Sequence, residues 1–183
     1  MKKSLLVLFI ASSISASALA ADGTITFNGE ITSTTCDVTT GNGGDFTVTL
    51  PTVSTTALNA AGATAGNTSF TIDLANCSVS GVDVAANFES LSSGDAVTGN
   101  LIPTVAPANV QIGLADQAGN LAKVNGAPVG NQPIVNGAAT LAYQAFYYAK
   151  DVVTAPGAVT AQVNYTRIQI ISATLGHVRW KDG

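Results

Sequence analysis

The chain has 183 residues, 46% hydrophobic and only 10% charged. Its seven Lys and Arg are outnumbered by eleven Asp and Glu, which argues against nucleic acid and against anionic membrane surfaces, since both attract clustered cations. Ala, Thr, Val, Gly and Asn dominate, a composition that suits an exported protein whose surface is small and neutral or covered by neighbours.

Residues 1–20 read as a secretion signal: Lys2 and Lys3 precede the apolar run Leu5 to Ala11, and Ala18-Leu19-Ala20 supplies a small-x-small cleavage site. That run is too short to span a bilayer as a helix. Cleavage leaves 163 residues, the size of one domain, with five Lys and Arg against eleven Asp and Glu. Cys36 and Cys77 are the two cysteines. In an oxidising compartment a lone pair is most simply a disulfide. A two-thiolate metal site would need further ligands, and the one histidine, His177, lies far away near the end of the chain.

Between the cleavage site and Cys36 the chain reads ADGTITFNGEITSTTC and alternates with period two. Ile25, Phe27, Gly29 and Ile31 fall on one face and the Thr, Asn and Glu residues on the other, the pattern of a strand with one buried face. A glycine in mid-strand weakens it unless something must approach closely there. Such a strand either packs in its own sheet or is meant for the sheet of another molecule.

Beyond Cys36, Gly41-Asn42-Gly43-Gly44 signals a turn, and Phe46, Val48 and Leu50 alternate up to Pro51. Val53 to Asn67 reads as loop with one helical turn around Ala57 to Ala61. Phe70, Ile72 and Leu74 then lead into Cys77, and Val82, Val84, Ala86 and Phe88 form the next set. A long loop over Ser92 to Pro107 precedes Val110, Ile112 and Leu114, and Asp116 to Asn120 is turn-like. Leu121 to Val124 can pair back across that turn, and Gly126 to Gly137 reads as loop. Thr140 to Ala149 is the strongest later strand, with Leu141, Tyr143, Ala145 and Tyr147 on one face. After the turn at Pro156-Gly157, Val159, Ala161, Val163 and Tyr165 begin a last strand. Seven or eight short strands without an amphipathic helix of useful length describe an all-β sandwich.

The end differs from the rest. Arg167 falls where the alternation of Val163 and Tyr165 predicts an apolar residue, and Ile168 and Ile170 resume it one residue out of phase, which would flip every side chain to the opposite face. Residues 167–183 hold three of the five cations that follow the signal, together with His177 and Trp180. They read as an atypical tail, from a shifted reading frame or a vector, or as a natural extension.

No constellation supports catalysis: the carboxylates are scattered, and no nucleophile elbow, H-E-x-x-H or Cys/His cluster of metal spacing occurs. Neither an enzyme, nor a metal, nor a cofactor is expected. Phe146, Tyr147 and Tyr148 could form a sugar platform but fit a core strand better.

The motifs GTITFNGEI before Cys36, FTIDLANC ending at Cys77, NVQIGLADQAGN, QAFYYA and TAPGAVTAQVNYT, in this order and spacing, resemble the subunits of chaperone–usher fimbriae, in the major-pilin group of type-1-like fimbriae. The likeness covers about residues 22 to 166. It implies a pilin domain over 21–166, an incomplete immunoglobulin-like β-sandwich lacking its seventh strand. The resulting groove would be filled first by a periplasmic chaperone and then by the N-terminal strand of the next subunit. That donor strand maps onto 21–32, with Ile25, Phe27 and Ile31 as plugs and Gly29 where the groove is shallow. Val159, Ala161, Val163 and Tyr165 would form the terminal strand at the groove wall. The implied partners are copies of the chain and related pilins in a head-to-tail filament, the periplasmic chaperone and an outer-membrane usher, with no nucleic acid. The implied destination is the cell surface, through the periplasm. Members of this group end near the position of Thr166, so the residues from Arg167 onward suggest a compromised terminal strand and poor assembly. The alternative within the family is a minor or tip-associated subunit with a ligand-binding role. Outside it, an exported enzyme or another sandwich-type binding protein comes last.

Overall fold

A computed structural model describes residues 36–91 and 93–170. The signal segment, the donor-strand positions Ile25, Phe27, Gly29 and Ile31, and residues 171–183 lie outside the described residues.

Among the described residues seven strands form two antiparallel sheets. β1 (Asp37–Val38), β2 (Thr64–Ala75), β6 (Ala139–Ala149) and β4 (Val110–Asp116) make one, in the order β1-β2-β6-β4. β5 (Val129–Pro133), β3 (Asp83–Glu89) and β7 (Asn164–Ile170) make the other, in the order β5-β3-β7. Period-two patterning decides which side chains meet between them. Ile72 and Leu74 of β2, Leu141 and Tyr143 of β6, and Ile112 and Leu114 of β4 pack with Val84, Ala86 and Phe88 of β3 in one buried cluster. Every residue of β4 is buried. Its free edge is covered in pieces: Leu101 exchanges two backbone hydrogen bonds with Ile112, and Ala122 donates to Leu114. The expected return of Leu121 to Val124 across the 116–120 turn is therefore present as a single bridge.

The alternating runs become strands where they find a partner, and the differences lie where composition hides one. Val129–Pro133 read as loop because Gly130 and Pro133 interrupt any alternation, yet it pairs with β3 as an edge strand, the place where Pro is tolerated. β2 starts at Thr64, inside the expected loop, with a register shift between Ala65 and Thr68. The helical turn falls on Thr55–Leu58, earlier than the Ala57 to Ala61 expected, because the Ser54 hydroxyl caps it by accepting from the Thr56 amide.

β7 also departs from expectation. It starts at Asn164 and runs without a register shift through Arg167 to Ile170, pairing with β3 from Glu89 to Asp83. The phase slip at Arg167 is thus a change in which face carries the apolar residue, not a break in the strand.

Cys36 and Cys77 are joined in a disulfide. It ties the start of β1 to the residues just after β2.

Candidate functional site

Two extended segments flank an open groove of about 810 Å³ between the sheets. In the first, Phe46, Val48 and Leu50 point inward and Thr47 and Thr49 outward; in the second, Val159, Ala161, Val163 and Tyr165 point inward and Thr160, Gln162 and Asn164 outward. All seven inward residues pack against the core while remaining half-exposed. The floor is apolar, with Phe70, Leu101, Ile112, Leu114, Ala145 and Tyr147 contributed by β2, β4, β6 and the segment that covers the β4 edge.

The sequence places the rims by the same alternation that places strands, but here the backbone is not joined to a neighbouring strand among the described residues. Among the described residues no backbone hydrogen bond reaches 46–50 or 161–163. Thr160 is bonded away from the groove, its amide donating to the Val105 carbonyl at 2.8 Å and its carbonyl accepting from the Thr104 amide at 2.8 Å. In an extended chain the amides and carbonyls of successive residues point to opposite sides, so Val159 and Ala161 turn theirs toward the groove. The site therefore offers what a β-strand needs: an apolar floor with places for alternate side chains, flanked by main-chain donors and acceptors that have no backbone partner among the described residues.

One end of the groove is closed by aromatic packing and a hydrogen bond. The Tyr165 hydroxyl donates to the Gly44 carbonyl at 2.8 Å, joining the two rims. The Phe46 ring sits 6.1 Å from that of Tyr165 and 6.0 Å from that of Phe70, and Phe70 leads on to Tyr143 at 5.9 Å. Burial pushes the Tyr165 hydroxyl above its ordinary pKa, with Arg167 and Asp45 acting on it in opposite senses. Just beyond, the Arg167 guanidinium donates to the Cys36 carbonyl.

Of the residues singled out in the sequence, the structure brings together Val159, Ala161, Val163 and Tyr165 on one rim and joins Cys36 to Cys77. Tyr147 lines the groove. Phe146 lies on the other face of β6, over Gly113, where an added Cβ would come within 2.3 Å of its ring. The aromatic run is thus split between two faces rather than gathered in a platform. Asp116 is buried, and its carboxylate accepts from the Asn120 amide and side chain, both at 2.8 Å, as a turn-forming residue. Among the described residues no three His, Cys, Asp or Glu side chains are grouped so as to hold a metal ion.

Sequence reasoning missed a buried polar network outside the groove lining. Asp95, with its side chain 5% exposed, accepts from Lys150 at 2.6 Å, from Gln111 at 2.7 Å and from the amides of Val97 and Thr98. It anchors the long loop 92–107 to β4 and to the end of β6. The available signal was the sequence Asp95-Ala96-Val97-Thr98, in which an Asp can cap the amides two and three residues on.

The family model described as "Fimbrial protein" matches residues 25–168. The major fimbrial subunit SMF-1 of Stenotrophomonas maltophilia is 44% identical over 160 residues, covering 81% of this chain and 93% of the relative. The F17 fimbrial protein of Escherichia coli is 43% identical over 168 residues, covering 86% and 92%. In fold, the chain is similar to the P pilus rod subunit PapA, with a TM-score of 0.60 at 18% identity over 74% of this chain and 99% of that one. A subunit of a chaperone–usher pilus also gives 0.60 at 18% identity, over 84% and 99%. The sandwich is accordingly of the incomplete immunoglobulin-like kind seen in pilus subunits, and the open groove is where it is incomplete. The chain belongs to the fimbrial protein family and is a structural, non-enzymatic subunit of the shaft of a surface fimbria, which polymerises into filaments with other pilins.

Proposed function

We propose that the shaft grows by strand donation: the groove of each subunit receives residues 21–32 of another copy, with Ile25, Phe27 and Ile31 as plugs and Gly29 over a shallow stretch of floor. The groove carries this reading. Its rims run for seven residues, 44–50 and 159–165, and the alternating donor run from Ile25 to Ile31 has the same length. Burying three large apolar side chains at roughly 1.5–3 kcal/mol each contributes on the order of 5–9 kcal/mol before backbone pairing. A subunit with its groove empty exposes both core and strand edges, an aggregation hazard. A periplasmic chaperone therefore occupies the groove first, after export and signal removal, and an outer-membrane usher releases the subunit into the fibre. Because each subunit gives a strand at one place and accepts one at another, the contact is head to tail and yields an open filament rather than a closed ring.

Phe27→Asp tests the proposal. It places a charge in the apolar groove while leaving the sandwich residues untouched, so the variant is exported with its disulfide formed and builds no surface fibre. Normal fibre yield from Phe27→Asp, scored by electron microscopy of the cells, contradicts strand donation.

A further inference from the structure

We propose that Asn42 is a site of spontaneous deamidation, and that the reaction rewrites the turn closing one end of the groove.

Four Asn-Gly pairs occur in the sequence, at Asn28, Asn42, Asn125 and Asn136; Asn28 lies outside the described residues. In such a pair the glycine nitrogen can attack the carboxamide carbon, because no side chain shields it and its backbone bends freely. A bond forms from the Gly43 nitrogen to Cγ of Asn42, the bond from Cγ to Nδ2 breaks, and ammonia leaves with the proton that the backbone amide loses. Water then opens the cyclic imide. Attack at Cγ gives aspartate; attack at the former main-chain carbonyl gives isoaspartate, whose chain runs through the side chain and is longer by one methylene. Nothing is oxidised or reduced.

Asn42, Asn125 and Asn136 are all exposed, so exposure does not separate them, but hydrogen bonding does. The Asn125 carboxamide is pinned at both ends: its Oδ1 accepts from the Ser90 amide at 2.9 Å and its Nδ2 donates to the Ser90 carbonyl at 2.8 Å. The Gly126 nitrogen is engaged too, donating to the Lys123 carbonyl at 3.0 Å. Among the described residues the Gly43 and Gly137 nitrogens donate to no carbonyl, and the Asn42 and Asn136 carboxamides have no partner. Gly137 is nonetheless held, since its carbonyl accepts from the Cys77 amide at 2.9 Å. Around Gly43 there is open space: a Cβ there would meet nothing within 4 Å. Asn42 therefore has the most room to bring the two reacting groups together.

Its position gives the reaction a consequence. The Asn42 amide donates to the Asp45 carbonyl at 3.0 Å and the Asp45 amide to the Asn42 carbonyl at 3.3 Å, with Gly43 and Gly44 between them at φ 65° and 99°. This is the tight turn of a hairpin. Gly44 is buried, and its carbonyl accepts the Tyr165 hydroxyl that joins the two rims. Isoaspartate lengthens the turn and makes a free carboxylate of the carbonyl that the Asp45 amide bonds, in the same turn as Asp45 itself. Gly44 then moves off Tyr165 and the groove end loosens.

The test ages fibres of the full chain at neutral and at mildly alkaline pH, then digests them and separates the Asn, Asp and isoaspartate forms of each site by chromatography and mass spectrometry. Asn42 converts first, Asn136 next and Asn125 last, faster at the higher pH because the attacking nitrogen must lose its proton. In denaturant the three rates converge. Conversion of Asn42 no faster than Asn125 in fibres overturns the proposal, as does the same order persisting in denaturant. The effect on the groove rests on the strand-donation reading and is read separately, as release of subunits on heating in detergent. Aged wild-type fibres release about two- to tenfold faster than fresh ones, the size expected for one lost hydrogen bond. Aged Asn42→Gln fibres, whose longer side chain closes the ring far more slowly while Asn136 still converts, release like fresh ones. Unchanged release from fibres with Asn42 converted overturns that effect. Strand donation itself is judged by Phe27→Asp, so the two failures are distinguishable.

Discussion

Tyr143 carries its hydroxyl across the core, from β6 to the irregularity in the opposite sheet. The register of β3 against β5 shifts between Val84 and Ala86, and the hydroxyl meets that shift. It accepts from the Ala86 amide at 3.0 Å and donates to the Val129 carbonyl at 2.9 Å, while Phe88 packs edge-on against the ring at 5.0 Å. Burial pushes its pKa upward, so it stays a neutral donor. Tyr143→Phe keeps the ring and strips both backbone groups of their partner, so it destabilises by about 1–3 kcal/mol, measured as a lower denaturant midpoint with an unchanged slope. Asp95 makes a different prediction. Its hydrogen bond from Lys150, helped by the Thr98 and Val97 amides and by Gln111 and opposed by burial, holds its pKa far below the ordinary 3.8. A carboxylate depressed on folding stabilises the protein above its unfolded value and loses that contribution as pH falls below it. Thermal unfolding of Asp95→Asn is therefore less stable than wild type at neutral pH, and the gap narrows steadily as the pH is lowered below about 3.8. A gap independent of pH contradicts the assignment.

The elements divide by how each satisfies its backbone. β2, β3, β4 and β6 were legible because each buries a clean alternating face, Phe70–Ile72–Leu74 or Leu141–Tyr143–Ala145 for example. β5 was not, because an edge strand can carry Gly130 and Pro133 and still pair on its one bonded side. The rims of the groove were legible as alternating runs, but alternation reports a buried face and says nothing of who supplies the ladder; that absence appears only in three dimensions. Arg167 misled in the opposite way. An inward cation reads as an error in a closed sandwich, whereas just past the end of the groove its guanidinium reaches the Cys36 carbonyl. The disulfide acts at this same scale, since it closes 41 residues between β1 and the end of β2. Its removal in a Cys36→Ser, Cys77→Ser variant costs about 4 kcal/mol on the chain-entropy model. The expected result is a large drop in recovery of folded subunit from the periplasm, with wild-type recovery as the contrary one.

The described residues form a sandwich with its core exposed along one groove, and the alternating run Ile25 to Ile31, which we propose as the donor, belongs to the same chain. Its low charge fits a shaft in which much of each subunit faces a neighbour. Growth by the proposed donation would tie stability to assembly: an empty groove would leave the subunit marginal, and a filled one would make the fibre resistant. Cross-linking tests this most directly. Phe27→Cys is combined in turn with Ala161→Cys and Val163→Cys, and fibres sheared from the cells are run without reductant. The account predicts a ladder of covalent multimers that collapses to monomer on reduction. Fibres that form yet yield no ladder from either pair, or only cross-links within single chains, contradict it.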